Sequence, residues 1–358
     1  MARRWKFGLV GVGRGSGYGR LLASDPRCEI AGCCDRSEEA LARFQKELGL
    51  PDSRCFTDYD TFISSQELDA VFLGTPIPAH AEQTIRAMEA GVSVLSEVTA
   101  AAAVEECGRI VEAVRRARKT YMLAENCCYW PFVQEWGKLA QSGRLGEILY
   151  SECEYLHPIP ELIVDPATGQ PQWRAARAPL HYCSHSLGPI LEITQDRITR
   201  AMGLGQGHRL MPEHPVVGTI DIQVALFETE KGAIIKLARS SMAPRHPMIH
   251  YYTLQGTKGF VETNRMGPTA GLLYVKGEME RAQEIPISFV DESLPAQARA
   301  GGHGTAEYGV VQDFLRALET GERPRLDEVR AMDMTVPGLV AHESAMSGGV
   351  WMEVPSLA

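Results

Sequence analysis

The chain has 358 residues, of which 44% are hydrophobic, and it carries a formal net charge of −9 at pH 7. This length exceeds one typical domain, and the composition provides a buried core for each of two domains. The negative charge disfavours a nucleic-acid or anionic-membrane surface, because both require clustered positive charge. No apolar run approaches the length of a membrane span. We therefore expect a small-molecule partner, with no nucleic acid and no membrane.

The nine cysteines indicate a reducing compartment. Their number is odd and they form no C-x-x-C unit, which favours free thiols over a disulfide framework. The apolar stretch after the first four residues is too short for the central segment of a signal peptide, and we interpret it as a strand. The sequence thus favours a cytoplasmic location.

The first predicted strand ends at Val10 and leads into a glycine-rich turn over residues 11–17. The next apolar run, Cys28–Cys34, is followed by the acidic residue Asp35. Glycines let the backbone turn close to a pyrophosphate, the following helix offers free N–H groups, and a carboxylate after the second strand binds ribose hydroxyls. Ser16 occupies the third glycine position, but the order of strand, turn, helix, strand and acid predicts a dinucleotide site.

The two residues after the second strand bear on which dinucleotide binds. Asp35 suits the free ribose 2′-hydroxyl of NAD, whereas neighbouring Arg36 accommodates the 2′-phosphate of NADP. We expect NAD, with NADP as the alternative. The motif itself supplies four cofactor-binding residues: Gly11, Gly13, Asp35 and Arg36.

Strand and helix alternate in the next part of the chain. After a helix capped by Ser37, strands and helices are predicted at residues 68–73, 79–90, 92–95, 104–114 and 121–124. Such alternation is typical of a parallel, doubly wound sheet with right-handed crossovers. We therefore predict an α/β fold whose first domain, residues 1–125, is a Rossmann domain.

The pattern changes beyond about residue 145 to extended runs separated by turns. These runs cover residues 146–156, 216–228, 232–240 and 249–262. In the second run, Ile220, Ile222, Val224 and Leu226 alternate with polar or small residues, which predicts a sheet with one buried face. Late helices are predicted at 307–320 and 326–347, packing against one or both domains. The second domain, residues 126–358, is therefore predicted to be α+β with a mainly antiparallel open sheet.

The strand ends of a doubly wound sheet converge at its carboxyl edge. Several residues follow successive strands there and are predicted to surround the nicotinamide half of the cofactor: Thr75, His80, Glu97, Val98 and Asn126. Glu125 and Asn126 also suit the cap of a helix that begins near Tyr129. The residues alone leave both interpretations open.

The two-domain plan resembles the glucose-fructose oxidoreductase, inositol dehydrogenase and MocA family over nearly the whole chain. Two departures from that family stand out. Where its dehydrogenases carry Glu-Lys-Pro, the chain has Glu97-Val98-Thr99, so Val98 replaces the lysine that polarises the reacting hydroxyl. Where they carry an Asp-x-x-x-His pair, the chain has His181 and His185, so an imidazole replaces the carboxylate.

These departures resemble one branch of that family, the NAD-dependent glycosidases of glycoside hydrolase family 109. Four segments carry the resemblance: Ser96-Glu97-Val98, Glu125-Asn126-Cys127-Cys128-Tyr129, Tyr182-Cys183-Ser184-His185-Ser186-Leu187-Gly188-Pro189 and Gly301-Gly302-His303-Gly304. The chain departs from the branch at Cys183, Ser184 and Ser186. It also departs before His80, where the branch has a tryptophan-containing stretch.

The resemblance implies which residues contact the cofactor and which contact the substrate. It assigns cofactor contacts to Gly13, Arg14, Gly15, Asp35, Ile77, His80, Glu97, Val98 and Asn126. It assigns substrate contacts to Tyr155, Arg174, Tyr182 and His185, and the glycine-flanked His303 is a further candidate. Since histidine and tyrosine suit general acid–base work, the candidate catalytic residues are His185, Tyr155, Tyr182 and His181.

The spacing of His181 and His185 places both imidazoles on one face if the segment is helical. Two histidines at this spacing also bind zinc in some proteins, but no third ligand is evident, and we expect no metal. Structural roles stay open as well. His185 suits an interior position, Tyr155 suits a sheet end with its hydroxyl bonded, and His303 suits a turn.

The family 109 branch implies a reaction without net oxidation. Transient oxidation of a sugar C3 hydroxyl acidifies the C2 hydrogen, so a base can drive elimination of the group at C1, after which water adds and the ketone is reduced. This scheme does not need the paired carboxylates of ordinary glycosidases. We therefore predict an NAD-dependent enzyme that hydrolyses a glycoside.

Two alternatives accompany this prediction. One is an NAD(P)-dependent sugar or polyol dehydrogenase in which His185 replaces the lysine, and the other is a non-catalytic nucleotide-binding sensor. A homo-oligomer is expected in each case, because the open sheet of this family often packs against that of a partner.

Overall fold

The computed structural model describes residues 4–248 and 250–358, and its first sheet has six parallel strands. The strands are β1 (Trp5–Val10), β2 (Cys28–Cys34), β3 (Cys55–Phe56), β4 (Ala70–Leu73), β5 (Ser93–Ser96) and β6 (Tyr121–Leu123). Their order is β3-β2-β1-β4-β5-β6, so the direction of winding reverses between β1 and β4, where doubly wound folds bind ligands. The predicted Rossmann fold is confirmed.

Five helices connect these strands: α1 (Val12–Ser24), α2 (Glu38–Leu48), α3 (Tyr59–Ser65), α4 (His80–Glu89) and α5 (Val104–Ala117). Ser37 caps α2 as predicted, because its hydroxyl accepts a hydrogen bond from the Ala40 N–H and two glutamates occupy the first turn. Every residue of β4 and β5 is buried, as expected for a parallel sheet that helices cover on both faces.

The second sheet has nine strands. After α6 (Pro131–Gln141) come β7 (Ile148–Leu156), α7 (Ser184–Thr194), β8 (Ile198–Gln206), β9 (Ile222–Thr229), β10 (Ile234–Ser240), β11 (His250–Gly256), β12 (Gly259–Thr263), β13 (Ala270–Val275), β14 (Gln283–Pro286), α8 (Ala306–Thr320), α9 (Glu328–Met346) and β15 (Met352–Glu353). The order is β14-β13-β12-β11-β7-β10-β9-β8-β15, and among the described strands only β7 and β10 pair in parallel. The predicted, mainly antiparallel sheet is confirmed.

The glycine-rich segment is mostly helical, which corrects the predicted turn over residues 11–17. Gly11 alone makes the turn, with φ of 78°, and α1 begins directly after it. A Cβ at Gly11 would lie 2.6 Å from the backbone of Gly74, so both the backbone conformation and the close approach require glycine. The later glycines remain helical because α1 packs tightly on the sheet: a Cβ at Gly15 would lie 3.1 Å from Phe72.

The faces of β9 are the reverse of those that its apolar pattern predicts. Three of the four apolar residues, Ile222, Val224 and Leu226, are only partly buried. The buried positions alternate with them: Gln223, Ala225, Phe227 and Thr229. The prediction is wrong because buried Gln223 has hydrogen-bond partners on that face, the Leu180 N–H and His342. We call the side of the sheet with Gln223 the inner face and the side with Val224 the outer face.

Contacts within the chain divide it into two units. The first consists of Met1–Trp130, Phe289–Met332 and Leu357–Ala358, and the second of Pro131–Ser288 and Asp333–Ser356. This division differs from the predicted boundary after residue 125, because Asn126 and Tyr129 bond to residues of α8. Among the described residues, no helix combines the length and the apolar character needed to cross a membrane.

Candidate functional site

In the first unit, the amino end of α1 is arranged to bind an anion. The cap residue Gly11 supplies no side-chain hydrogen bond to the first N–H groups of the helix. Gly13 is exposed in the first turn of α1, and a Cβ built on it meets no heavy atom within 4 Å. Open space, N–H donors without a side-chain cap and the positive end of the helix dipole together fit a pyrophosphate.

Asp35 lies one residue beyond β2, at the place where the sequence predicts a ribose-binding carboxylate. Its Oδ1 accepts a hydrogen bond of 2.9 Å from the Ser37 N–H, which orients the carboxylate at the end of the strand. Asp35 is partly buried and Arg36 is exposed. The carboxylate fits a ribose diol. The side chain of Arg14 lies outside the part of the chain that the structure describes.

A buried histidine joins the loops that follow β4 and β5. His80 is fully buried, with Nε2 lying 2.8 Å from the Thr75 carbonyl oxygen and Nδ1 lying 2.8 Å from that of Thr99. A neutral imidazole donates one such bond, and an imidazolium donates both. His80 therefore supports the loop of Thr75 and buried Ile77, and its contact with the cofactor stays a prediction.

Glu97 and Val98 follow β5 and are both buried. The Oε2 atom of Glu97 accepts a hydrogen bond of 3.1 Å from the Val98 N–H. The isopropyl side chain of Val98 has no proton to give or accept. Residues other than Val98 must therefore supply the acid–base chemistry that the lysine supplies in the dehydrogenases.

Asn126 and His303 both bond to Glu307, a buried carboxylate that is absent from the sequence-based predictions. The Nδ2 atom of Asn126 lies 3.3 Å from Glu307 Oε1, and Nδ1 of His303 lies 2.5 Å from the same oxygen. Burial raises the pKa of Glu307, but the hydrogen bonds and charge of His303 outweigh it and hold that pKa below its ordinary value. His303 thus lies in the first unit as the partner of Glu307, and its spacing of four from Glu307 is the signal that was available.

Glu125 caps a short turn that starts at Asn126, rather than the helix beginning near Tyr129 that the sequence suggests. Its carboxylate accepts a hydrogen bond of 3.2 Å from the Cys127 N–H at the start of the short turn Asn126–Tyr129. Burial raises the pKa of the Cys127 thiol well above its ordinary value, so this cysteine is a poor nucleophile. All nine cysteines are free.

In the second unit, Tyr182 and His185 meet at the start of α7. The Tyr182 hydroxyl lies 3.1 Å from His185 Nε2, and the two rings are nearly perpendicular. The hydroxyl of Tyr252 donates a hydrogen bond of 2.5 Å to the carbonyl oxygen of His185. These bonds fix the ring and the backbone of His185.

Tyr155 occupies the middle of a cluster of rings that includes His185. Its ring stacks on that of His250 with 4.0 Å between centroids and meets His185 edge-on at 6.0 Å. Its hydroxyl lies 2.5 Å from Nδ1 of His157, and the Arg239 guanidinium lies 4.6 Å from its ring centre. The structure thus assembles three of the four predicted catalytic residues: Tyr155, Tyr182 and His185.

The segment from His181 to His185 is not one helix, so the condition for a shared helical face is not met. His181 ends the short turn Pro179–His181, whereas α7 begins only after Cys183. The backbone leaves helical geometry at Tyr182, whose ψ is 68°, so the spacing of four has no helical meaning here.

His181 has different neighbours from His185. Its Nδ1 accepts a hydrogen bond of 3.1 Å from the Ala178 N–H, and its ring lies 4.4 Å from that of His342. Burial, followed by the charge of Arg177, lowers the pKa of His181 to about 2. The ring is therefore neutral at physiological pH, and its catalytic role stays a prediction.

Arg174 lies in another short turn, Trp173–Ala176. Its guanidinium lies 4.2 Å from the centre of the Trp173 ring. Its contact with a substrate stays a prediction.

Three members of the ring cluster are absent from the sequence-based predictions: His157, Arg239 and His250. His157 follows Tyr155 at a spacing of two, which places both side chains on one side of an extended chain, and this signal was present in the sequence. Arg239 and His250 reach Tyr155 only because β10 and β11 pair with β7, which the sequence pattern does not reveal.

Known families match both parts of the chain. The model of the oxidoreductase family with an NAD-binding Rossmann fold, GFO/IDH/MocA, matches residues 5–125. The model of the GFO/IDH/MocA C-terminal domain matches residues 133–262. The predicted cofactor, NAD, is confirmed by this family, and the residues at the end of α1 fit it.

Individual proteins agree with the family match. Two relatives from Bacteroides fragilis, a glycosyl hydrolase family 109 protein and an alpha-N-acetylgalactosaminidase, are each 30% identical over 91% of this chain and 85% of their own length. A levoglucosan dehydrogenase solved with NADH is similar in fold, with a TM-score of 0.85 and 18% identity over 99% of this chain and all of that chain. The chain therefore belongs to the GFO/IDH/MocA oxidoreductase family and resembles the glycosyl hydrolase family 109 proteins within it.

Proposed function

We propose that the protein is an NAD-dependent enzyme that hydrolyses a glycoside through transient oxidation of the sugar. The observation that carries this proposal is the bonding of two tyrosines, Tyr155 and Tyr182, to imidazoles in a chain that has Val98 in place of the family lysine. Relatives that are 30% identical over most of the chain support a glycoside, and an N-acetylgalactosaminide is the first substrate to test.

The oxidation and elimination steps require the protein to move three protons. NAD, when bound at the amino end of α1, supplies a hydride acceptor that is restored before the product leaves. One proton leaves the C3 hydroxyl, one leaves C2, and one goes to the departing group at C1. We assign these transfers to Tyr155, Tyr182 and His185, because phenol and imidazole side chains both give and accept protons within hydrogen-bond reach. The scheme needs no pair of carboxylates.

A single assay tests the net reaction. The protein is incubated with NAD and nitrophenyl glycosides, including the N-acetyl-α-galactosaminide, while nitrophenol release and NADH absorbance are followed in parallel. We expect nitrophenol release without accumulation of NADH. In D₂O, the released sugar is expected to carry deuterium at C2, because the elimination exchanges that hydrogen with solvent. Hydrolysis that leaves C2 fully protiated contradicts the elimination.

The other two functions give different signals in the same assay. Stoichiometric NADH formed from free sugars or polyols, without nitrophenol release, favours a dehydrogenase in which His185 replaces the lysine. Tight NAD binding with neither signal favours a nucleotide-binding sensor. The fold likeness to a levoglucosan dehydrogenase makes free and anhydro sugars useful members of the panel.

The outer face of the second sheet supports the proposal of a homo-oligomer. Its apolar residues include Leu204, which is 57% exposed, and Ile234, which is 47% exposed, beside the partly buried Val224. A face of this kind fits a second copy of the chain. Light scattering is expected to show a smaller species for Leu204→Glu than for the control Met346→Glu, an exposed position at the end of α9. The free thiols support the cytoplasmic location that we propose.

A further inference from the structure

Three adjacent strands place their side chains in one row across the inner face of the second sheet. The register pairs Tyr155 of β7 with Arg239 of β10 on one side and with His250 of β11 on the other. The row continues to Gln223 of β9, which pairs with Arg239. Because paired residues of neighbouring strands are in direct contact, Tyr155 is flanked by a cation and an imidazole.

The hydroxyl end of Tyr155 is bonded to a second imidazole. His157 lies two residues further along the chain, and its Nδ1 is 2.5 Å from the Tyr155 hydroxyl oxygen. When the phenol donates this bond, Nδ1 is the acceptor and the ring proton is on Nε2. This is the arrangement from which a phenol proton passes to an imidazole within one hydrogen bond.

Arg239 stabilises negative charge on the same phenol. Its side chain is almost fully buried, and its guanidinium lies 4.6 Å from the ring centre of Tyr155 and 5.7 Å from that of Tyr182. Its nitrogens donate to the carbonyl oxygens of both tyrosines, at 3.2 and 3.3 Å. Burial lowers the pKa of Arg239, while the nearby tyrosines raise it. Within residues 4–248 and 250–358 no carboxylate pairs with this cation, so a phenolate formed on Tyr155 would face a positive charge that no carboxylate compensates.

We propose that Tyr155 and His157 form an acid–base dyad in which Tyr155 exchanges a proton with the substrate hydroxyl and His157 exchanges a proton with Tyr155. Arg239 and His250 are positioning residues that hold the phenol ring from its two sides. The dyad deepens the proposed function and rests on it, because it assigns the first proton transfer of that reaction to one pair. His185 and Tyr182 remain for the steps at C2 and C1.

The proton and the electrons balance in each direction. The Tyr155 proton first passes to His157 Nδ1, which gives a phenolate and an imidazolium, and Nε2 then loses its proton to solvent. The phenolate would next take the proton of the C3 hydroxyl, and NAD, when bound, would accept the C3 hydrogen with its electron pair. The C3–O bond becomes a carbonyl and Tyr155 is again a phenol. In the return step the phenol gives its proton to the carbonyl oxygen as hydride returns to C3.

The pH dependence of the dyad is set by groups on each element around Tyr155. Arg239 faces it from β10, His250 from β11 and His185 from the start of α7. The positive charge of Arg239 favours the phenolate, and a positive charge on a neighbouring imidazole would favour it further. We therefore expect the first proton transfer to be governed by several coupled titrations rather than by His157 alone.

The first test uses activity. His157→Asn keeps a hydrogen-bond acceptor near the position of Nδ1 but removes the titrating ring. We expect kcat to fall about 10- to 100-fold, the acidic limb of the kcat–pH profile to move, and KM and the NAD dissociation constant to change by less than about twofold. A thermal melt checks that the variant is folded. Unchanged kcat and an unchanged pH profile overturn the dyad.

The second test needs no substrate and separates failure of the dyad from failure of the proposed function. In NAD-free protein with labelled histidine, the NMR titration midpoint of His157 is expected to move by about half a pH unit or more in Tyr155→Phe. Tyr251→Phe is the matched control, since Tyr251 lies on the outer face bonded to Glu262. An equal midpoint in wild type and Tyr155→Phe overturns the dyad. A shifted midpoint in a protein that hydrolyses no glycoside supports the dyad and overturns the proposed function.

Discussion

Two histidines of the first unit and two of the second differ in the chemistry of their partners. In the first unit, His80 bonds to two backbone carbonyl oxygens and His303 to the carboxylate of Glu307. In the second unit, His157 and His185 bond to the hydroxyl groups of tyrosines. A carbonyl oxygen only accepts a hydrogen bond, whereas a phenol also releases a proton.

This difference separates histidines that hold structure from histidines that are suited to chemistry. A ring between two carbonyl oxygens connects loops, and its loss leaves buried acceptors without a partner. A ring beside a phenol has a partner to which it can pass a proton and from which it can regain one. Burial alone does not distinguish the two kinds, because His80 and His185 are both buried.

The largest effect is expected from His185→Ala. Loss of this ring is expected to lower kcat by about 10²- to 10⁴-fold, the usual contribution of a general acid or base, with NAD binding retained. Turnover of nitrophenyl glycosides and NAD titration by fluorescence measure the two quantities. His214→Ala is the control at a partly buried histidine outside the cluster. Wild-type turnover in His185→Ala would contradict the chemical role that we assign to histidines bonded to tyrosine hydroxyls.

The opposite outcome is expected for His80→Ala in the first unit. It leaves the Thr75 and Thr99 carbonyl oxygens buried without the ring and opens a cavity, which we expect to cost about 2–4 kcal/mol of unfolding free energy. Denaturant unfolding measures this loss. Because NAD binds the folded chain and not the unfolded chain, added NAD is expected to recover part of the lost stability by mass action. A variant as stable as wild type would show that the two hydrogen bonds contribute little to the free energy of unfolding.

His181 gives a prediction about pH within the second unit. Burial and Arg177 lower its pKa in the folded chain to about 2, from 6.5 in the unfolded chain. Below pH 6.5 the His181 side chain therefore takes up a proton in the unfolded chain but not in the folded chain. The free energy of unfolding consequently keeps its full value above pH 6.5 and decreases as the pH falls. Relative to His181→Asn, wild type is expected to lose about 2 kcal/mol between pH 7 and pH 5. Parallel stability curves for the two proteins would contradict the shift.

The smallest effect is expected at Asp35, which concerns the cofactor alone. Asp35→Ala is expected to weaken NAD binding about tenfold, through loss of the ribose contacts, and to weaken NADP binding less. Isothermal titration with both dinucleotides measures the ratio. Saturating NAD is expected to restore wild-type kcat, since the acid–base groups are unchanged. A kcat that stays low at saturation would place Asp35 in the chemistry as well as in binding.

Most helices and strands of the first unit can be predicted from local sequence signals. The apolar run of β2, the acid at Asp35 and the cap at Ser37 are each set by neighbours a few residues away. The sequence predicts a turn where α1 starts because glycines usually end a helix, whereas packing against Phe72 keeps Gly15 helical. Local patterns predict such elements well and fail where tertiary packing decides.

The candidate site of the second unit depends on contacts that local patterns do not contain. The outer face of β9 is apolar and its inner face carries Gln223, so hydrophobic alternation gives the wrong orientation. The helical spacing of His181 and His185 is interrupted by a turn that begins at Pro179. Tyr155, Tyr182 and His185 came from the family resemblance, whereas Arg239 and His250 required the register of the sheet.

The parallel pairing of β7 with β10 has a consequence for how the protein folds. It brings together Tyr155 and Arg239, which are 84 residues apart, and such a long loop must close before the two strands meet. Contacts of this range form slowly, whereas the β1–α1–β2 segment closes over a short distance. During refolding, binding of the dinucleotide is therefore expected to return before turnover does. Turnover then reports that the central pairing of the second sheet is complete.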